Sequence, residues 1–138
     1  MSLIFEFEIP GDPVAKGRPR FTRQGRAYTP AKTANYEKSG RIIAKDLWGD
    51  QAPIRFPVDC AVIAKLPIPK SWSKKKKLEA EQNYLPHTSR PDLDNFIKIA
   101  LDILNGVVIE DDSIVVSLSG EKKYSATPGL LVKLQEKS

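Results

Sequence analysis

The chain has 138 residues, 41% of them hydrophobic and 28% charged, with 22 Lys+Arg against 17 Asp+Glu for a net charge of +5. That length suits a single domain spanning 1–138 with one buried core. A lone cysteine, Cys60, excludes an internal disulfide, and with no charged leader and no apolar run of membrane-spanning length, a cytoplasmic protein is expected.

Residues 3–9 alternate, with Phe5, Phe7 and Ile9 on one face and Glu6 and Glu8 on the other, which predicts a half-buried strand. Pro10-Gly11-Asp12-Pro13 ends it, and a polar loop runs on to Thr29-Pro30. There Thr as N-cap and Pro at the first helical position open a helix carrying Tyr36, Ile42, Ile43 and Leu47, which stops near Trp48-Gly49. Val58, Cys60, Val62, Ala64 and Leu66 alternate as a second strand, broken by Pro67 and Pro69. A short, very basic helix over 71–81 follows, then a loop over 82–90.

The pattern over 91–104 predicts the best helix. Pro91 suits the first turn, Phe96, Ile97, Ala100, Leu101 and Leu104 form an apolar stripe, and Asn105-Gly106 is a stop. Residues 113–124 read as a strand with Ile114, Val116 and Leu118 on one face. After a turn at Ala126-Thr127-Pro128-Gly129, residues 130–135 pair back as a hairpin. The expected fold class is α+β: a small mixed β-sheet of about four strands with two main helices packed on it.

Chemistry concentrates in Arg90-Pro91-Asp92-Leu93-Asp94-Asn95 and in Glu110-Asp111-Asp112. Setting aside Asp92, Asp94, Asp111 and Asp112 leaves 13 acids against 22 bases, a balance of +9. Acid gathered on a basic chain suggests a divalent-metal site facing a polyanion, nucleic acid being the natural one. Asp92 and Asp94 in a first helical turn also suit plain helix capping, worth roughly 0.3–1 kcal/mol each. Capping leaves Asp111 and Asp112 unexplained. A chain reversing after the helix is expected to return them toward the same helix end or sheet edge, where Mg²⁺ or Mn²⁺ would offset their repulsion. Lys98, four residues after Asp94, reads equally as an ion-pair partner and as a cation aimed at a phosphate. Asp102 reads as a solvated partner of Lys98, and Asn95 as a supporting residue or a helix-start polar residue.

Other acidic chemistries fit badly. An EF-hand would need an oxygen ligand where Phe96 stands, and an aspartyl-phosphate site would place its acidic pair directly after an apolar strand. With Cys60 and His87 the only thiol and imidazole, zinc and His-dependent triads lack ligands. His87 reads as a solvated loop residue close enough to Asp92 to support it. No phosphate-loop or dinucleotide fingerprint is present.

The loop from Lys16 to Tyr28 carries Lys16, Arg18, Arg20, Arg23 and Arg26 with Phe21 and Tyr28 among them, and no acid. Arginines and aromatics on a Gly/Pro-punctuated loop suit an arm that grips phosphates and stacks on bases. Lys74, Lys75, Lys76 and Lys77 are less specific and add non-specific attraction to DNA. Trp72 beside them reads as a packing anchor.

Together, Arg90-Pro91-Asp92-Leu93-Asp94-Asn95 with Lys98, then Asp111-Asp112 before an apolar strand, resemble the RusA family of Holliday-junction resolvases. Lys16-Gly17-Arg18-Pro19-Arg20-Phe21 and Tyr28-Thr29-Pro30 look like the phage and Gram-positive branch of it. One departure is Thr88-Ser89-Arg90-Pro91, where the family's better-known member carries an unbroken arginine run. The resemblance implies a homodimer that cuts four-way DNA junctions in recombination and repair with Mg²⁺ or Mn²⁺. It makes Asp92, Asp94 and Asp112 the metal-binding catalytic carboxylates, Lys98 the catalytic lysine and Asp111 a supporting acid. Arg90 joins the arm and the lysine run as DNA-binding residues. A branched-DNA binder that does not cut, and a metal-dependent nuclease for a flap or RNA, are the alternatives.

Overall fold

The computed structural model describes residues 3–17, 20–21, 23–25, 27–28 and 30–137. Strand β1 (Leu3–Pro10) is followed by a two-stranded ribbon of β2 (Arg20–Phe21) and β3 (Ala27–Tyr28), helix α1 (Ala31–Trp48) and strand β4 (Val58–Pro67). Helices α2 (Lys74–Glu81) and α3 (Leu93–Leu104), a 3₁₀ turn (Asp112–Ile114), and strands β5 (Val115–Ser125) and β6 (Gly129–Glu136) complete the chain.

The main sheet is mixed, in the order β1-β6-β4-β5. β6 runs antiparallel to both β1 and β4, and β5 runs parallel to β4. A parallel neighbour requires a long crossover, which the segment containing α2 and α3 supplies. The expected β5–β6 hairpin does not form, because β4 lies between the two strands. Leu130, Val132 and Leu134 are fully buried and so need strands on both sides, whereas β5 is exposed from Val116 to Glu121 and suits an edge. For the same reason Val116 and Leu118 are not core residues: they are 56% and 45% exposed.

The core lies between the sheet and the helices α1 and α3. Val58, Cys60, Val62, Ala64 and Leu66 face Phe96, Ile99, Ile103 and Leu104, all of them buried. α1 begins one residue later than the sequence suggests, with Pro30 as its N-cap. It buries Gly40, Ala44 and Trp48, while Ile42 and Leu47 point to solvent at 61% and 60% exposure. Gly40 lies at a close approach in the core. A Cβ built there would stand 2.6 Å from Ile103 Cδ1 and 2.8 Å from Ile9 Cδ1, so only glycine lets α1 settle against α3 and β1.

Candidate nucleic-acid and metal site

Asp92 caps α3 in an extended conformation, and its side chain makes no capping hydrogen bond. Pro91 therefore lies outside the helix rather than in its first turn. Asp94 is exposed one turn in. Among the described residues neither carboxylate, nor that of Asp112, enters an ion pair. Two free carboxylates at a helix start are hard oxygen donors of the kind Mg²⁺ or Mn²⁺ takes.

Lys122 on β5 fixes this helix start in place. Its ammonium donates to the carbonyls of Ser89 at 2.8 Å and Pro91 at 3.0 Å. Gly120 gives the room, since a Cβ there would meet Ile97 Cδ1 at 2.7 Å and Leu93 Cδ1 at 3.3 Å. The beginning of α3 thus lies over the later half of β5.

Asp111 and Asp112 lie at the other end of the helix. Gly106, at φ 75°, turns the chain sharply after α3, and the Ile109 N–H returns to the Leu104 carbonyl. Glu110 then pairs with Ile54 just ahead of β4, and β5 starts beside Val58. The reversal does occur, but it leaves the acids at the end of α3 opposite Asp92 and Asp94, just before the strand that returns along the helix. A 12-residue helix is about 18 Å long, so roughly that distance separates the two acidic pairs. Among the described residues no three carboxylate, imidazole or thiol groups stand together so as to hold a metal ion. The donors fit a hard cation in kind, but one copy of the chain gathers only part of a set. Asp111 is engaged locally, its Oδ2 accepting from the Ser113 N–H at 3.0 Å, and hydrogen bonds from the Ser113 hydroxyl first and then its N–H hold the carboxyl below the usual range.

Lys98 pairs with Asp102 at 3.2 Å and not with Asp94, and it remains 57% exposed. Such an i,i+4 pair is worth only about 0.3–0.5 kcal/mol and is easily exchanged for a phosphate. Asp102 is not a solvated residue. Its side chain is 17% exposed and also receives Lys16 at 2.9 Å, while Lys16 donates to Glu37 at 2.8 Å. Burial alone would lower the Lys16 pKa, but the hydrogen bonds and charges of Glu37 and Asp102 outweigh it and raise it. Lys16 therefore anchors the arm rather than offering a free cation.

The anchored arm runs against the start of α3. The Lys16 N–H donates to the Asn95 carbonyl at 2.9 Å, and the Gly17 N–H to Thr33 Oγ1 at 3.2 Å. Between arm and helix lies a cleft of ≈ 770 Å³ whose walls include Lys32, Arg90, Asp92 and Asn95. Arg23 is exposed beyond it. Arg20, Phe21 and Tyr28 lie in the β2–β3 ribbon, described by its backbone, and Arg18 and Arg26 lie outside the described residues.

α2 is tied to the later half of β5. Trp72 packs edge-on against Tyr124 with centroids 5.1 Å apart, and Lys76 lies over the Trp72 ring at 4.1 Å. Lys74 and Lys75 are exposed on the first turn. His87 is half-buried rather than solvated: its ring packs on Tyr124 at 4.7 Å and its Nδ1 is buried without a partner. Burial first, and then the charge of Lys122, lower its pKa.

Lys122, Thr33, Glu37 and Arg41 carry no sequence signal for the roles they play. Arg41 donates to the carbonyls of Asp102 at 2.7 Å and Asn105 at 2.9 Å, closing the C-terminal end of α3 from a helix more than sixty positions away in the chain.

The family model described as endodeoxyribonuclease RusA matches residues 10–135. The chain is also 38% identical over 138 residues to the uncharacterized protein YqaN of Bacillus subtilis (strain 168), covering 96% of each. Among the described residues no helix is long and apolar enough to cross a membrane.

Proposed function

The chain belongs to the RusA endodeoxyribonuclease family, and we propose that it hydrolyses phosphodiester bonds at four-way DNA junctions, as a homodimer using Mg²⁺ or Mn²⁺. The observation that carries this reading is the cleft beside α3, where the Asp92 carboxylate, unpaired among the described residues, shares walls with Arg90 and Lys32. Cations that draw a phosphate next to free carboxylates make a site for a metal and a DNA backbone together.

In this reading Asp92 and Asp94 of one copy, with Asp112 of the second copy of the dimer, would hold the cation, whose chemistry would be to activate water and neutralise charge on the phosphate. Arg90, Lys32 and the arginines of the arm bind the backbone on either side. Lys98 leaves its weak pair with Asp102 to stabilise charge developing on the phosphoryl oxygens. Lys122 keeps the start of α3 from shifting under the load.

A protein that binds branched DNA without cutting it is the second reading, favoured by the absence of a three-ligand cluster among the described residues. One assay separates the two. A synthetic four-way junction, a linear duplex and a single-stranded flap are each incubated with Mg²⁺ or Mn²⁺. Preferential incision of the junction, abolished by Asp94→Asn with binding retained, supports the resolvase. Tight junction binding with no incision under either metal supports the binder, and preference for the flap moves the substrate class.

A further inference from the structure

Lys98 has an acid one helical turn away on either side, Asp94 before it and Asp102 after it. In a free helix the acid-first pair, Asp94 with Lys98, is the better of the two orientations. The structure shows the other one. Lys98 Nζ stands 3.2 Å from Asp102 Oδ1, and Asp94 is left exposed, with no ion pair among the described residues.

The reason lies off the helix. Lys16 Nζ stands 2.9 Å from the other oxygen of Asp102 and 2.8 Å from Glu37. The Lys16 N–H donates to the Asn95 carbonyl, so backbone and side chain of this residue are both fastened to α3. Asp102 is thus fixed without Lys98, and pairing with it orders one long side chain only. Pairing with the exposed Asp94 would order two.

Lys16 also sets how firmly Lys98 is held. The charges alternate along the chain of contacts, from Glu37 through Lys16 and Asp102 to Lys98. Two ammonium groups share the Asp102 carboxylate, which weakens its hold on each of them. Lys16 is half-buried and bonded on two sides, whereas Lys98 is exposed with a single partner. The Lys98 pair is therefore the one that opens, and Lys16 still neutralises the carboxylate when it does.

Resting on the nuclease reading above, in which Lys98 acts on the phosphate, we propose that Asp102 is a positioning residue for that lysine and that Lys16 governs its release. Asp102 keeps Lys98 off Asp94, so that this carboxylate stays open to a cation. The charge of Lys16 lets Asp102 give Lys98 up to a DNA phosphate.

A suppressor pair tests the release. Lys16→Met leaves Asp102 to Lys98 alone, as a half-buried carboxylate that resists losing its one cation. Single-turnover junction incision with Mn²⁺ is expected to fall about tenfold, with junction affinity little changed. Adding Asp102→Asn removes the trap and is expected to restore the rate, while Lys16→Arg, which keeps the charge, stays near wild type. Damaged packing predicts instead that the second substitution worsens the first. An unchanged rate in Lys16→Met, or no recovery in the double variant, overturns the proposal.

A second readout needs no cleavage. Brief acylation with an amine-reactive ester, read by peptide mass mapping, measures how free the Lys98 amine is. Lys98 is expected to label several-fold more slowly in Lys16→Met and at the wild-type rate or faster once Asp102→Asn is added. In Glu37→Gln, where Lys16 is left to Asp102 alone, it is expected to label about twofold faster. General loosening of the fold would free Lys98 at both positions, so the opposite signs identify the charge chain. Equal labelling in every variant, or faster labelling in Lys16→Met, overturns the proposal. The expected labelling in a protein that cuts no DNA leaves the charge chain standing and removes the nuclease reading.

Discussion

The Lys122 ammonium sits 3.0 Å from the carbonyl of Pro91, so that the edge strand grips the residue immediately before the N-cap of α3. A second bond to Ser89, at 2.8 Å, makes the grip two-point. Because Asp92 and Asp94 issue from this helix start, their position depends on a lysine that contacts neither.

Lys122→Met is therefore expected to cost about 1.5–3 kcal/mol, the range for hydrogen bonds to a charged group. In the nuclease reading kcat falls further than junction affinity, because the carboxylates shift while the arm remains. Single-turnover cleavage beside equilibrium binding checks this, and equal losses in both would make Lys122 a DNA contact instead.

Gly40→Ala sets two effects against each other. Helix propensity gains up to about 1 kcal/mol, but a methyl 2.6 Å from Ile103 and 2.8 Å from Ile9 overpacks a site whose neighbours are buried. Overpacking typically costs about 1–3 kcal/mol, so a net loss of about 1 kcal/mol is expected, partly restored by Ile103→Val. Denaturant midpoints of the single and double variants decide it. A stabilised Gly40→Ala protein would refute the close packing.

Lys16 and the arginines of the arm should separate in their effects. Lys16→Met leaves Glu37 without its partner and Asp102 with only the weak Lys98 pair, and is expected to lose about 1–2 kcal/mol of stability, with the salt slope of DNA binding little changed. Neutralising Arg18, Arg20 and Arg23 together should do the opposite, reducing the log–log slope by about 0.9 for each phosphate the arm no longer neutralises. A slope unaltered by the triple variant would show the arm to be merely basic.

His87 gives a test in pH. Its folded pKa lies below the ordinary 6.5, so as pH falls through that value the unfolded chain takes up the proton first. Stability supplied by the neutral ring is whole above 6.5 and declines below it, toward the folded pKa. Melting temperatures between pH 7.5 and 5 should drop more steeply for the wild type than for His87→Gln, and parallel curves would count against the half-buried imidazole.

Asp94→Asn tests the metal. With no crowded acids in one chain, the metal-free variant should lose only the helix-end attraction, about 0.3–1 kcal/mol. Mn²⁺ at a hundredfold excess over its dissociation constant should stabilise the wild type by about 2.7 kcal/mol and the variant far less. Melts in EDTA and in Mn²⁺ measure both, and a wild type indifferent to the metal would leave Asp92 and Asp94 with only their attraction to the positive helix end.

What the sequence determined by itself is local. Alternation gave β1 and β4 their ends, a 3.6-residue stripe marked α3, and Asp92 and Asp94 marked themselves by standing at a helix start with Lys98 one turn on. These signals are legible because each depends on neighbours within one or two turns of chain. The tertiary structure decided what lies beyond that range: β4 separating β6 from β5, Ile42 and Leu47 turned to solvent, Lys16 enclosed by Glu37 and Asp102, and Lys122 holding the start of α3. It also set Asp112 at the far end of α3 from Asp94, because a strand returning along a helix begins at the helix's end. Spacing in sequence counts residues, and only the packed direction of β5 against α3 turns that count into a distance.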